Sequence, residues 1–119
     1  MALYYELPVY RDTYKLILML YRYTHDFPRE YKYTLGQDIK RDSLQLVRGI
    51  YRVNKASDKE KHFYAVLDDF EMLKFQIRLC TDLKLLSIHQ QAELVELSSS
   101  IGRQLTAWSQ KYKMPESHS

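Results

Sequence analysis

A continuous helical pattern between residues 34 and 55 constrains the fold of this chain more than any other stretch. Apolar or small side chains recur there at steps of three and four residues, which is the spacing of one helix face. They are Leu35, Ile39, Ser43, Leu46, Val47 and Ile50. Thr34 is predicted to cap this helix, with Gln37 as its reciprocal partner. The pattern therefore predicts a helix from Thr34 to Asn54 that packs one face inward.

A row of four cations lies on the opposite face of the same predicted helix. Its members are Arg41, Arg48, Arg52 and Lys55. Their separations of seven, four and three residues place them in a strip roughly 60° wide, at about 100° per residue. Such a row can hold phosphates without recognising a base sequence. The alternative is an ordinary solvated face whose cations pair with Asp38, Asp42 or a neighbouring chain.

The first half of the chain carries most of the excess positive charge. Residues 1–56 hold ten Lys and Arg against six Asp and Glu, whereas residues 57–119 hold eight against nine. A second, shorter cationic row occurs on the first predicted helix, at Arg11, Lys15 and Arg22. An uneven basic charge favours an anionic partner, although it also serves solubility alone.

Three further long helices are predicted from the same periodicity. They cover Pro8–His25, Asp58–Leu86 and Ile88–Lys111. Capping boxes are predicted at Ser57–Glu60 and at Ser87–Gln90, because each pairs a serine with Glu or Gln three residues later. Only three Gly and three Pro occur in 119 residues. The chain is therefore expected to form one all-α domain, an antiparallel up-down-up-down four-helix bundle over residues 1–113, followed by a flexible tail over residues 114–119.

Two of the predicted helices are apolar on more than one side, which a solitary bundle does not need. The first helix has a tyrosine-rich stripe, and the third has a second apolar stripe nearly opposite its core-facing one. The exposed stripes comprise Tyr10, Tyr14, Ile17 and Tyr21 on the first helix, and Met72, Phe75, Leu79, Leu83 and Leu86 on the third. These stripes predict contacts with further copies of the chain.

Catalytic and metal-binding motifs were sought and give no support for an enzyme. Phosphate-binding loops, nucleophile elbows and zinc-binding helix motifs do not occur. His89, Glu93 and Glu96 share a helix face and could hold a metal, but a solvated helix start is the more ordinary explanation. Cys80 lies on the apolar stripe of its helix, which favours a packed thiol over a nucleophile. No cofactor is expected.

Neither a signal peptide nor a membrane span is expected. The apolar runs are far shorter than the roughly 18 residues of a crossing helix, and the first residues lack the charge and hydropathy of a leader. A single Cys fits a reducing compartment. Cytoplasm is the default location.

Several segments resemble the four-helix bundle family of 23S rRNA intervening-sequence proteins, which includes the accessory variability determinant (Avd) proteins of diversity-generating retroelements. The segments are Phe27–Gly36, Ile50–Lys55, Asp82–Lys84 and Gln104–Trp108. The resemblance extends from about Leu7 to Lys111. The chain departs from many members of the family at two places, and these departures leave both branches of the family open. It has Asn54-Lys55 where many relatives have a Glu-Gly pair, and Asp68-Asp69-Phe70 where many have small residues.

The resemblance implies four-helix bundles assembled as a homopentameric barrel with a basic surface for RNA or DNA. In the retroelement branch it also implies a reverse transcriptase partner, and in the rRNA branch a reading frame within an rRNA insertion. The function expected is therefore a non-catalytic, nucleic-acid-binding accessory protein. The alternative is a structural protein-interaction module with no role on nucleic acid.

Overall fold

The structure is a computed structural model that describes residues 3–112, and within that range it contains helices and no strand. A 3₁₀ turn at Tyr4–Glu6 precedes five α-helices. They are α1 (Pro8–His25), α2 (Arg29–Lys32), α3 (Leu35–Lys55), α4 (Lys59–Asp82) and α5 (Ile88–Gln110). The predicted all-α class with four long helices is confirmed, and the one-turn helix α2 is an addition to it. The predicted tail over residues 114–119 lies outside the described residues.

Helix α1 has the bounds that the sequence predicts. Pro8 occupies its first turn, where a missing N–H leaves no hydrogen bond unmade. Leu16 and Leu20 are buried, and Thr24 is buried with its hydroxyl donating to the Leu20 carbonyl at 2.7 Å. Helix α1 ends before Pro28, which is disfavoured within a helix and restricts the residue that precedes it.

The link between α1 and α3 differs from the prediction. Pro28 begins the short helix α2, and the Thr34 hydroxyl donates to the Glu30 carbonyl at 2.6 Å. Thr34 precedes α3, but its side chain makes no capping hydrogen bond. The predicted reciprocal cap with Gln37 is therefore wrong, because α2 offers the threonine hydroxyl an unpaired terminal carbonyl nearby.

Helix α3 buries the predicted apolar face. Ile39, Ser43, Leu46 and Ile50 are buried, Leu35 is half-buried against the same core, and Val47 is half-buried. Gly49 faces α4 so closely that a Cβ placed on it would lie 2.7 Å from Val66 Cγ2. A Cβ at this position would force the Val66 side chain or the helices to shift, because non-bonded carbon atoms essentially never approach within 3 Å of each other.

The start of α4 lacks the predicted capping box. Asp58 precedes the helix, and no side chain caps its first amides. Lys59 instead reaches back to α3, where its ammonium donates to the Val53 and Asn54 carbonyls at 2.8 and 2.9 Å. The charged lysine thus satisfies the exposed carbonyl end of α3, where a cation is favoured.

The end of α4 comes four residues earlier than predicted. Lys84 has a left-handed backbone with φ of 61°. The Leu85 N–H bonds the Cys80 carbonyl at 2.9 Å, and the Lys84 N–H bonds the Thr81 carbonyl at 3.0 Å. This pair of bonds is a Schellman motif, which ends a helix and usually employs glycine at the left-handed position. The bend returns Leu86 to the core, so Leu86 does not belong to the exposed stripe of α4.

The start of α5 confirms the second capping box. The Gln90 N–H bonds the Ser87 hydroxyl at 3.1 Å, and the Ser87 N–H bonds the Gln90 side-chain carbonyl at 2.9 Å. Leu94, Ile101 and Leu105 are buried. The helix ends at Gln110, one residue before the predicted end.

The four long helices pack in a closed order in which α1 and α4 each contact both α3 and α5. Hydrogen bonds cross two of these seams. The Asp42 carboxylate of α3 accepts from Gln76 of α4 at 2.7 Å, and the Asp12 carboxylate of α1 accepts from Ser100 and Gln104 of α5 at 3.1 and 2.7 Å. The order gives the bundle four faces, named below by the two helices that form each. No helix within residues 3–112 combines the length and hydropathy that a membrane crossing requires.

The glycine contact between α3 and α4 yields a first prediction. Gly49→Ala should lower the free energy of unfolding by about 1–3 kcal/mol, the range for overpacking a tight contact. At an open helix position the same change would raise it by about 1 kcal/mol. Urea denaturation measures the difference. In the double variant with Val66→Ala, the loss should be smaller than the sum of the two single losses, since the clashing methyl groups are gone. Stabilisation by Gly49→Ala alone would contradict the contact.

The two serines at helix starts yield a second, paired prediction. Ser87→Ala removes an observed cap and should lower the free energy of unfolding by about 1 kcal/mol. Ser57→Ala is the matched control, because Ser57 makes no capping bond, and it should change stability by less than about 0.5 kcal/mol. Equal losses in thermal or urea unfolding would show that the two helix starts are capped alike.

Candidate nucleic-acid interface

Helix α3 carries the predicted cations on its outward surface. Its core-facing residues point to the bundle interior, and Asp42 marks the side that faces α4 through its bond to Gln76. Arg48, Arg52 and Lys55 are exposed. Arg48 and Lys55 lie seven residues apart, which is a rise of about 10 Å along the helix. The structure therefore brings three cations together on one exposed strip at the C-terminal half of α3.

Arg41, the fourth predicted member of the row, is engaged by neighbouring carboxylates. Its guanidinium lies 3.0 Å from Asp42 and 3.2 Å from Asp38. The hydrogen bond and charge of Asp42 raise the pKa of Arg41, and Asp38 adds to that effect. Arg41 is thus in the paired state that the sequence left open as an alternative, and its charge is locally balanced.

The other three cations have different surroundings. Arg48 and Arg52 form no ion pair or side-chain hydrogen bond within residues 3–112. The Lys55 ammonium lies 4.5 Å from the centre of the Tyr51 ring and 3.4 Å from its hydroxyl. A cation above a ring keeps its full charge and is held in place. The strip thus presents two unpaired arginines beside a lysine fixed over an aromatic ring.

A group of carboxylates lies at the seam between α3 and α4. Asp69 is half-buried, and that burial raises its pKa. The nearby charges of Asp42 and Asp68 raise the pKa further. Like charges are therefore gathered at the seam between α3 and α4.

The cations of α1 do not join the row on α3. Tyr21 marks the side of α1 that faces α3, since the Lys40 ammonium of α3 lies 5.3 Å from its ring centre. Asp12 marks the side that faces α5. The exposed cations of α1 are Arg11, Lys15 and Arg22. At about 100° per residue they point away from the core, between the sides marked by Tyr21 and Asp12. The two predicted cationic rows therefore lie on the outer surfaces of two different helices.

The predicted stripe of α4 is exposed in the single chain. We call its four exposed members the α4 ridge: Met72, Phe75, Leu79 and Leu83, which are 51, 62, 37 and 39% exposed. Single exposed apolar residues are common, but a continuous apolar row on one helix indicates a contact surface.

The predicted tyrosine stripe of α1 is partly covered. Tyr14 and Tyr21 are exposed, whereas Tyr10 is half-buried with its ring centre 6.4 Å from that of Tyr14. Leu44 and Tyr51 of α3 are exposed near them. Sequence analysis did not include these two α3 residues in any site, although their spacing of seven on α3 was the available signal.

A groove between α4 and α5 was also missed. Its cavity volume is about 760 Å³, and its floor includes Phe70, Ile77 and Gly102. Small side chains of α5, Ser99 and Thr106 among them, line it. The small residues were visible in the sequence, but whether they close a seam or leave it open depends on the distance between the helices.

The remaining chemical candidates lie apart from this surface. Cys80 is buried, and burial raises the pKa of its thiol to about 12. A thiol in that state is protonated at neutral pH and is not a nucleophile. The Glu93 carboxylate contacts the His89 ring and accepts from the Tyr23 hydroxyl at 3.3 Å. Within residues 3–112, no three metal-ligating side chains come together.

Comparison with known protein families gives a match. A model of the bAvd-like family matches residues 9–112, which is most of the chain and includes all four long helices except the first residue of α1. A comparison with curated protein sequences gives no match.

The carboxylates at the seam yield a pH prediction. Because the folded-state pKa of Asp69 is raised, its contribution to stability is present at acid pH and is lost as the pH rises through that pKa. Asp69→Asn should therefore be more stable than the parent at pH 7, and the difference should vanish below about pH 4, the ordinary range of an aspartate. Thermal unfolding across this range measures it. Glu96→Gln, at an exposed position of α5, is the control. A destabilised Asp69→Asn at pH 7 would contradict the prediction.

Proposed function

Because the chain belongs to the bAvd-like family, we propose that it acts as a non-catalytic accessory protein that binds the phosphate backbone of RNA or DNA as a homo-oligomer. The observation that supports this proposal most is the strip of Arg48, Arg52 and Lys55, whose charges are exposed and are not balanced by carboxylates. Phosphates are the natural counterions of such a strip.

The assembly we propose is a ring, and the resemblance to the Avd-containing family favours five copies. Three cations on one helix bind a polyanion weakly. Repetition around a ring multiplies both the field and the number of simultaneous contacts. The exposed α4 ridge supports the oligomer, because contact with another copy would remove it from water.

Within each copy, we infer that the long helices run up-down-up-down. Residue 42 of α3 bonds residue 76 of α4, whereas the later residue 49 approaches the earlier residue 66. The numbers rise on one helix as they fall on the other, which is the behaviour of an antiparallel pair. A five-residue link joins α4 to α5, and such short links join antiparallel neighbours.

A reverse transcriptase is the protein partner that the retroelement branch of the family would require. The exposed tyrosine and leucine side chains of the α1–α3 face offer a surface for such a protein. The same exposed apolar surfaces favour the second candidate function, a protein-interaction module with no role on nucleic acid. The two candidates differ in their response to salt and to charge reversal on α3.

The binding experiment uses fluorescence anisotropy with a labelled RNA and a labelled DNA of the same sequence. If a ring engages six or more phosphates, affinity should fall by about 1,000-fold between about 50 and 200 mM salt. The double variant Arg48→Glu/Arg52→Glu should lose most of this affinity. Arg41→Glu should lose less, because Arg41 already pairs with two carboxylates.

The control is Arg29→Glu/Lys111→Glu, which makes the same change in charge at two exposed cations away from the α3 strip. It should retain most of the affinity. Equal losses in the two double variants would indicate a general charge effect and not a site on α3. Salt-independent binding, or none at all, would favour the protein-interaction module.

A further inference from the structure

The chain has two apolar surfaces of opposite shape on the two flanks of α4. One is the convex α4 ridge. The other is the groove between α4 and α5, where Val95 is 60% exposed and Ile77 and Phe70 form an apolar floor. At about 100° per residue, the ridge and the groove-lining side of α4 point about 145° apart around the helix.

We propose that the α4 ridge of one copy seats in the α4–α5 groove of the next, so that the copies join head-to-tail. This inference rests on the proposed oligomer and specifies which two surfaces make its contact. The occupant is a second copy of this chain, for reasons of size, charge and direction.

The two surfaces match in length. Met72 to Leu83 spans eleven residues, a rise of about 16 Å along α4. On α5 the groove extends from Gln91 to Gln110, nineteen residues and about 28 Å. The ridge therefore fits within the groove with room at the ends.

The groove stays open because α5 presents small side chains along it. Ser99 and Thr106 do not reach across to α4, and Gly102 lies against the Phe70 ring at its floor. Ser98 is 8% exposed at the same floor, and its hydroxyl has no hydrogen-bond partner within residues 3–112. The groove therefore has room for large apolar side chains such as Phe75 and Leu79.

The charges around the two surfaces have opposite signs. The groove is bordered by Lys74, Arg78 and Arg103, of which Lys74 pairs with Glu71 at 2.7 Å and Arg78 with Asp82 at 3.2 Å. Arg103 has no carboxylate in contact within residues 3–112, so the groove retains an excess positive charge. The face that carries the ridge holds the carboxylates of Asp42, Asp68 and Asp69, close enough for Asp42 and Asp68 to raise the pKa of Asp69. Docking would bring the cations of one copy towards the carboxylates of the next.

The relative directions of the two surfaces favour a closed ring. An interface between two different patches adds copies one after another. The assembly closes into a ring only if each copy is rotated relative to the one before it. Ridge and groove lie on neighbouring faces of the bundle, so each copy turns relative to the last when the bundles stand side by side. The α1–α3 tyrosine face lies across the bundle from the groove, and docking it there would extend a straight filament instead.

The test combines two variants that each damage one surface. The ridge variant is Met72→Glu/Phe75→Glu, and the groove variant is Ser99→Glu/Thr106→Glu. All four positions are exposed in the single chain, so the fold should survive, and circular dichroism with thermal unfolding checks it. The matched control is Ile88→Glu/Ala92→Glu, which introduces the same charge at exposed positions of α5 outside the groove.

Light scattering after size exclusion should report several copies for the parent and the control, and a monomer for each variant alone. An equimolar mixture of the two variants should give a dimer with twice the monomer mass, since the intact ridge of one variant can still enter the intact groove of the other. A mixture that stays monomeric, variants that assemble like the parent, or a monomeric parent would each overturn the proposal.

Failure of the proposed function has a different signature. If the parent assembles and the variant mixture forms a dimer, but the parent binds neither RNA nor DNA in low salt, then the nucleic-acid proposal fails and the ridge-and-groove contact stands. If the parent binds nucleic acid and the mixture stays monomeric, the contact fails and the binding proposal stands.

Discussion

The close approach of α3 and α4 at Gly49 determines much of the molecular surface. With Val66 Cγ2 only 2.7 Å from where a Cβ would lie, glycine lets the two helices approach closely along this seam. The same seam brings Asp42 to Gln76 and gathers Asp42, Asp68 and Asp69.

Features that depend on a few adjacent residues were predictable. Pro8 and Pro28 enclose α1, and its bounds match the sequence prediction. The Ser87–Gln90 box forms because both partners lie within one turn. The buried positions of α3 follow from the helical period alone. In each of these cases the determining interaction lies within one helix or at its end.

Features that depend on competition between neighbouring segments were not predictable. Thr34 bonds the carbonyl end of α2, a helix that the sequence did not reveal. Helix α4 stops at a left-handed Lys84, where composition offers no glycine as a signal. The sequence allowed two states for Arg41, paired with a carboxylate or open to a phosphate. It could not decide between them, because Asp38, Asp42 or a phosphate would each satisfy a guanidinium. The groove depends on the distance between α4 and α5. The spacing of residues along either helix does not determine that distance.

The backbone bend at Lys84 has a consequence for assembly. It ends α4 and begins the five-residue link to α5, and it thereby affects the angle at which α5 leaves α4. In a head-to-tail ring, the curvature per step depends on that angle, because the receiving cleft lies between these two helices. The stoichiometry of such a ring would then depend on the torsion angles of the residue that directly follows Leu83, the last member of the ridge, and related chains with a longer or shorter link would close with a different number of members.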